Sequence, residues 1–322
     1  MPDYAHIETD KQIEKIKKRL AKEYKQAEKE LKKKTDDYFK KFKKADKEKA
    51  KLVKQGLMSQ SEYTAWRANK ILYGENMKKK VESMAQHMVN VDKQASDIIN
   101  GALAGVYANN YNYAAYGIEK GFGIKTGFTL HDERSVERLA EKYPRLLPKT
   151  KTNIPKDKVW QKRHIASAIS QGILQGEPLD DIAHRLEKVC QMSWNSAYRN
   201  ARTAMTGAQN AGRLDSYQDA QKMGINVKKE WMATLDEHTR SSHADLDGQS
   251  VDIDKPFVTE NGNELMYPGD PEGAPEEVYN CRCTMVADLV DYPNDKFERY
   301  DNIEGKPIEN VTYNEWAAAK RG

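Results

Sequence analysis

Apolar residues recur at Ile13, Ile16, Leu20, Tyr24, Ala27, Leu31, Tyr38 and Phe42, in steps of three, four or seven, with Lys and Glu filling the intervals. That period belongs to a helix, and so narrow an apolar seam needs a second helix to cover it. The stretch predicts a long amphipathic, coiled-coil-like helix from Ile13 to about Leu57, packed within the chain or between chains, with a break near "KTDD" (34–37). Its polar side is strongly basic: residues 11–54 hold 19 Lys and Arg against 8 Asp and Glu. The whole chain carries only +4, so the remainder is net acidic. Such segregation predicts either a polyanionic partner for the basic limb or a merely solvated coiled-coil face. On the first reading Lys17, Lys18, Lys22, Lys25, Lys29, Lys32, Lys33, Lys34, Lys40, Lys41, Lys43, Lys44 and Lys47 are the candidate DNA-phosphate contacts. Arg is nearly absent from the limb and Asn and Gln are sparse, so any such binding is expected to ignore base sequence and to depend on salt.

Further helices follow. "SQSE" (59–62) is a capping-box pattern that starts a helix carrying Tyr63, Trp66, Ile71 and Leu72. The helical pattern runs on through Ala-, Met- and Tyr-rich sequence until Gly117, Gly121, Gly123 and Gly127 are expected to interrupt it. "HDERSVERLAEKYP" (131–144) reads as a short helix stopped by Pro144, and "LLPKTKTNIPKD" as a linker. Three helices are expected next, over about 157–175, 179–192 and 194–223, the last closed by Gly224. Trp160, Trp194 and Trp231 are expected to face the core.

Beyond Gly224 the period changes to two. "INVKKEWMATLD" (225–236) and "VYNCRCTMVADLV" (278–290) read as strands, separated by a segment rich in Gly, Pro, Asp and Asn. The end of the chain reads as an extended tail closed by a short helix begun at Thr312. The fold class is thus mainly α with a small C-terminal α+β module. The divisions are a basic helical arm (1–57), a helical region and linker (58–150), a C-terminal domain (151–290) and a tail (291–322). Mean hydropathy of -0.89 fits a chain whose polarity is concentrated on solvated helices. No run approaches the ~18 apolar residues of a membrane span, and "MPDYAHIETD" lacks the basic flank and apolar core of a secretory signal. A soluble protein made in the cytoplasm is expected, with its three cysteines as free thiols.

Two of those cysteines lie one residue apart in "NCRC" (280–283). In a strand Cys281 and Cys283 would share a face and Arg282 would take the other. Both sulfurs could then meet a metal, or both could fill a core. Zinc would need two further ligands, and His238 and His243 are the candidates. The spacings match no common zinc finger, and free cysteine is often buried for packing alone, so the reading is no metal and no cofactor, with zinc kept as the alternative. Asp236, Glu237, His238, His243, Asp245, Asp247 and Cys281 supply an acid, a base and a nucleophile, but no nucleophile elbow, HExxH helix or phosphate loop arranges them. A non-enzyme is expected.

An ordered series of motifs sharpens this. It comprises "GILQGEPLDDIAHRLEKV" (172–189), "RNARTAMTGAQNAGRLDSYQDAQKMG" (199–224), "KKEWMATLDEHTRSSHADLDGQSV" (228–251), "YPGDP" (267–271) and "NCRC". Together they resemble the phage head-morphogenesis family, the minor head proteins similar to the Mu F protein. The resemblance covers about 155–290. It implies a low-copy structural protein of a tailed-phage virion, carried inside the head and associated with the portal protein, with scaffold and major capsid protein as further partners. It also implies non-specific binding of double-stranded DNA, and no membrane. From a different class, the alternatives are a zinc-dependent hydrolase or toxin-like transferase built on the C-terminal module; a helical adaptor that binds no DNA is a third.

Overall fold

The computed structural model describes residues 3–73, 75–123, 127–289 and 298–321. Helix α1 spans Tyr4–Phe39 and buries the predicted seam: Ile13, Ile16, Leu20, Tyr24, Ala27, Leu31 and Tyr38 are all under 9% exposed. The expected break at 34–37 does not occur. The Thr35 hydroxyl donates to the Leu31 carbonyl one turn back at 2.8 Å, so its side chain is absorbed into the helix and does not cap a new one. The chain breaks later, at 40–42, and resumes as α2 (Lys43–Lys54).

The capping box forms as read. Ser59 and Glu62 satisfy each other's backbone N–H groups at the start of α3 (Gln60–Arg67), which continues into one π-helical turn, Ala68–Leu72. Helix α4 (Glu75–Phe122) runs through Gly117 and Gly121; only Gly123, at φ +64°, marks its end. Asp132 caps α5 (Glu133–Lys142), and Asn153 caps α6 (Ile154–Leu174). Where two helices were expected, α7 is a single helix, Leu179–Lys222, ended by Gly224 at φ +83°. Trp194 lies within it, half-buried and stacked on Tyr198, and Trp160 is half-buried against His164, so neither is the core residue expected. Trp231 is fully buried.

The strands are β1 (Val227–Met232), β2 (Ser250–Asp252), β3 (Phe257–Val258) and β4 (Glu264–Leu265), with helix α8 (Ser241–Leu246) between β1 and β2. After the short helix α9 (Pro275–Val278) comes β5 (Thr284–Leu289), then β6 (Glu298–Asp301), β7 (Lys306–Glu309) and α10 (Tyr313–Arg321). β1 is the centre of an antiparallel sheet of order β2-β1-β5, in register Trp231 to Met285 and Val227 to Leu289. The described part of the tail is no extended segment: β6 and β7 pair, and Trp316 is buried with its indole N–H on Asp301 at 2.9 Å. Residues 291–297 of the tail lie outside the described residues.

Two compact units result. One comprises 1–16, 98–150 and 199–322, and the other 17–97 and 151–198; α1, α4 and α7 contribute to both. In the second unit Tyr24 and Gln161 both donate to Asp92, and Asp46 is ion-paired at 2.9 Å to Arg67, whose guanidinium also donates to the carbonyls of Ile173 and Glu177. In the first unit the sheet packs Val227, Met285 and Leu289 against Ile118 of α4 and Leu214 and Tyr217 of α7. Lys229 breaks the apolar row on that buried face. Its ammonium donates to the Met266 carbonyl at 2.7 Å, and burial pushes its pKa down to about 8.

Candidate functional site

Four polar side chains of α7 recur at helical spacing: Thr203, Thr206, Asn210 and Arg213. Steps of three and four place them on one face of the helix, and each meets the segment that carries the cysteines. The Thr203 hydroxyl accepts from the Asn280 N–H at 2.9 Å, and the Thr206 hydroxyl donates to the Cys281 carbonyl at 2.9 Å. Asn210 donates to the Cys283 and Pro268 carbonyls and accepts from the Met285 N–H. Arg213 donates to the Met285 carbonyl and forms a two-pronged pair with Asp3 at 2.6 and 2.7 Å. Small residues let the backbones approach. A Cβ at Gly212 would stand 2.5 Å from the Tyr107 carbonyl oxygen, and one at Gly207 would stand 2.8 Å from that of Gly269. The A-x-N-x-G-R and Y-P-G-D-P motifs are thus the parts of a helix-to-loop clasp.

This clasp corrects the strand expectation for the cysteines. Cys281 and Cys283 lie in the loop before β5, which starts only at Thr284. Asn280 turns the chain with φ +61°, a left-handed conformation that asparagine tolerates. The loop brings both sulfurs to His243 on α8: Cys283 Sγ lies 3.5 Å and Cys281 Sγ 3.7 Å from Nδ1. On the other side of the ring Nε2 lies 3.2 Å from Glu277 Oε2. All four residues are buried, beside Trp231, Leu246, Phe257 and Val278. Burial opposes charge on Cys283, but hydrogen bonds from the Cys281 thiol and from His243 hold its pKa well below the usual thiol value. That shared hydrogen bond, with burial, raises Cys281 well above it. Among the described residues His243, Cys281 and Cys283 are the one group whose His, Cys or carboxylate donor atoms gather within 4.8 Å as a metal would require.

The other members of the sequence cluster go elsewhere. His238 is exposed, its N–H on Asp236 Oδ1 at 2.8 Å, and takes no part in the group. Asp236 is ion-paired with Arg282, and Glu237 and Asp245 are exposed. Asp247 accepts from Arg299, from the Ala233 N–H and from the Tyr313 N–H, tying the tail to the sheet. Glu277, Arg299 and Thr206 were not foreseen from sequence, and Thr203, Asn210 and Arg213 stood in the quoted α7 motif without a role. The polar 3-4-3 spacing inside an Ala-rich helix was the available signal.

The lysines divide in the same way. Lys17 sits over the Tyr198 ring and Lys41 over Tyr38 and Phe42, and Lys43 is paired with Asp180. Lys32 and Lys34 are half-buried, and Lys40, Lys44 and Lys47 are exposed. The remaining five, Lys18, Lys22, Lys25, Lys29 and Lys33, are all exposed and fall within about 80° of arc on α1. No acidic residue of α1 enters that sector between them.

The model for Phage Mu protein F like protein matches residues 163–286. The chain is 30% identical over 247 residues to minor head protein GP7 of Bacillus phage SPP1, covering 76% of this chain and 79% of that relative. It belongs to the phage Mu F-like family. It is also 35% identical over 156 residues to an NAD(+)–arginine ADP-ribosyltransferase of Enterococcus faecalis, a match that spans 48% of this chain but only 31% of the transferase. A Haemophilus influenzae protein of uncharacterised function is 24% identical over 228 residues. No solved structure matches. No helix among the described residues is long and apolar enough to cross a membrane.

Proposed function

We propose that this family member is a minor head protein of a tailed bacteriophage, held inside the virion beside the portal protein, and that its basic helix grips packaged DNA without reading its sequence. The similarity to GP7 along most of both chains supports the structural role. The observation that carries the DNA-binding part is the lysine stripe of α1. The opposite seam of the helix is buried, so the five ammonium groups are presented to solvent by a fixed scaffold about 22 Å long, the length of six or seven base-pair steps. Fixed cations at that spacing bind a phosphate backbone with little ordering cost.

The buried seam also decides the experiment. Deleting the arm would strip the core of its cover, so charge is to be removed and the helix kept. Replacing the five lysines together by glutamine, a good helix former, should sharply weaken retardation of a random duplex in gel shift while the circular dichroism spectrum is retained. Binding as tight as the wild type's would remove the proposal. Portal association is tested separately by co-expression with the portal protein of the same phage and co-purification.

The similarity to the ADP-ribosyltransferase supports a second reading, a toxin-like transferase built on the C-terminal module. Here Asp236 and Asp247 are each taken up by an arginine, which favours the structural role. Consumption of NAD by the purified chain would reverse that preference.

A further inference from the structure

We infer that His243, Cys281 and Cys283 form a zinc site, with Glu277 orienting the histidine from behind. The distances make the case first. A tetrahedral zinc with its usual bonds to sulfur and imidazole nitrogen sets each S···N edge at about 3.6 Å. The two edges here are 3.5 and 3.7 Å, and all three donor atoms lie within 4.8 Å of one another. A thiol–imidazole hydrogen bond accounts for either contact alone, but Nδ1 has one proton or one lone pair and cannot serve both sulfurs at once.

The surroundings make it again. Ligating histidines characteristically turn their second nitrogen to a carboxylate, which fixes the ring and raises its basicity. His243 is placed for this: Nδ1 faces the sulfurs, and Nε2 lies 3.2 Å from Glu277 Oε2, within ion-pair reach although not aligned as a hydrogen bond. The carboxylate is itself anchored, accepting from the Ser242 hydroxyl at 2.8 Å and from the Asn263 amide at 3.2 Å. Glu277 is 3% and His243 1% exposed. Burying a carboxylate against two thiols and an imidazole is costly for packing alone, and a divalent cation neutralises two thiolates. Two thiolates and one imidazole form a soft-to-borderline donor set that suits zinc and disfavours magnesium or calcium. The chain provides three ligands, and the fourth position goes to a water molecule. The metal would pin α8, α9 and the loop before β5 to one another.

The test uses the full-length chain, freed of any histidine tag and kept reduced. Metal analysis of protein purified without added metal should find about one zinc per chain. Cobalt(II) added to metal-stripped protein should produce thiolate-to-cobalt charge-transfer absorption and the d–d bands of a tetrahedral centre. Cys281→Ser and Cys283→Ser should each lose the metal, and Cys190→Ser should keep it. If the cysteine variants fail to fold, the wild-type cobalt titration still decides. Glu277→Gln leaves every ligand in place and should weaken zinc about 10- to 100-fold in competition with a chelating dye. Absence of both bound zinc and cobalt absorption in the folded wild type overturns the site, as would a Cys281→Ser, Cys283→Ser double variant that keeps its zinc. Copper in place of zinc overturns the choice of metal, and an unchanged affinity in Glu277→Gln overturns the role given to Glu277.

Discussion

The lysine stripe allows a prediction with a number attached. Each phosphate neutralised by a fixed cation releases counterion, and the logarithm of the binding constant falls with the logarithm of salt by about 0.9 for each such contact. Five contacts from Lys18, Lys22, Lys25, Lys29 and Lys33 contribute a slope of about −4.5, so affinity for duplex DNA should fall about 500-fold between 50 and 200 mM salt. The perturbation is stepwise replacement by glutamine, measured by fluorescence anisotropy on a labelled 20-base-pair duplex at four salt concentrations. Each replacement should shift the slope toward zero by about 0.9, and the fivefold variant by about 4.5 relative to the wild type, whatever residual slope Lys40, Lys44 and Lys47 supply. Two duplexes of unrelated sequence should give the same values, because contacts to phosphate carry no base sequence information. A fivefold variant with the wild-type slope would refute the reasoning, since it would place the contacting cations elsewhere.

Three further outcomes are expected from the packing. Arg67→Met leaves Asp46 buried without its cation and should destabilise the chain by about 3–5 kcal/mol, read as a lowered midpoint in urea; a loss under 1 kcal/mol would mean that the pair is dispensable. Lys229→Met should stabilise by about 1–2 kcal/mol at pH 7, the gain from removing a buried charge being partly offset by the lost bond to Met266. The wild type should also gain stability as pH rises from about 8 toward the unfolded lysine value, because in that window the unfolded state binds a proton that the folded state has released; in Lys229→Met that component of the pH dependence should vanish. Asn210→Leu removes bonds to the C-terminal end of the cysteine loop and to the Pro268 carbonyl and should cost about 2–4 kcal/mol, with faster reaction of the Cys281 and Cys283 thiols toward a thiol reagent. Unaltered thiol reactivity there would argue against the clasp.

Legibility in the sequence followed the range of the interaction. The seam of α1, the Ser59–Glu62 capping box and the glycine after α7 were readable because each is decided within one or two turns of helix. The continuity of α7 was not, since nothing local distinguishes a residue at 193 that ends a helix from one that is carried through it by packing on both sides. The strand read at 278–290 began six residues too early for a related reason. Its alternation is real, but Thr203, Thr206 and Asn210, more than 70 residues away, take up backbone groups of Asn280, Cys281 and Cys283 that a ladder would otherwise use. Lys229 was hidden by the same alternation, which placed it inward without naming the Met266 carbonyl that makes the position tolerable. At the candidate site His243 and the two cysteines were legible as residue types. That His238 points away, and that Glu277 stands behind the imidazole, depended on the fold of α8 and α9.

The grip of α7 on the loop before β5 falls almost wholly on main-chain atoms. A track laid in that way fixes where residues 281 and 283 stand and leaves open what chemistry they display. Selection or an engineer can therefore exchange those two side chains as one changes the bit in a drill, keeping the chuck.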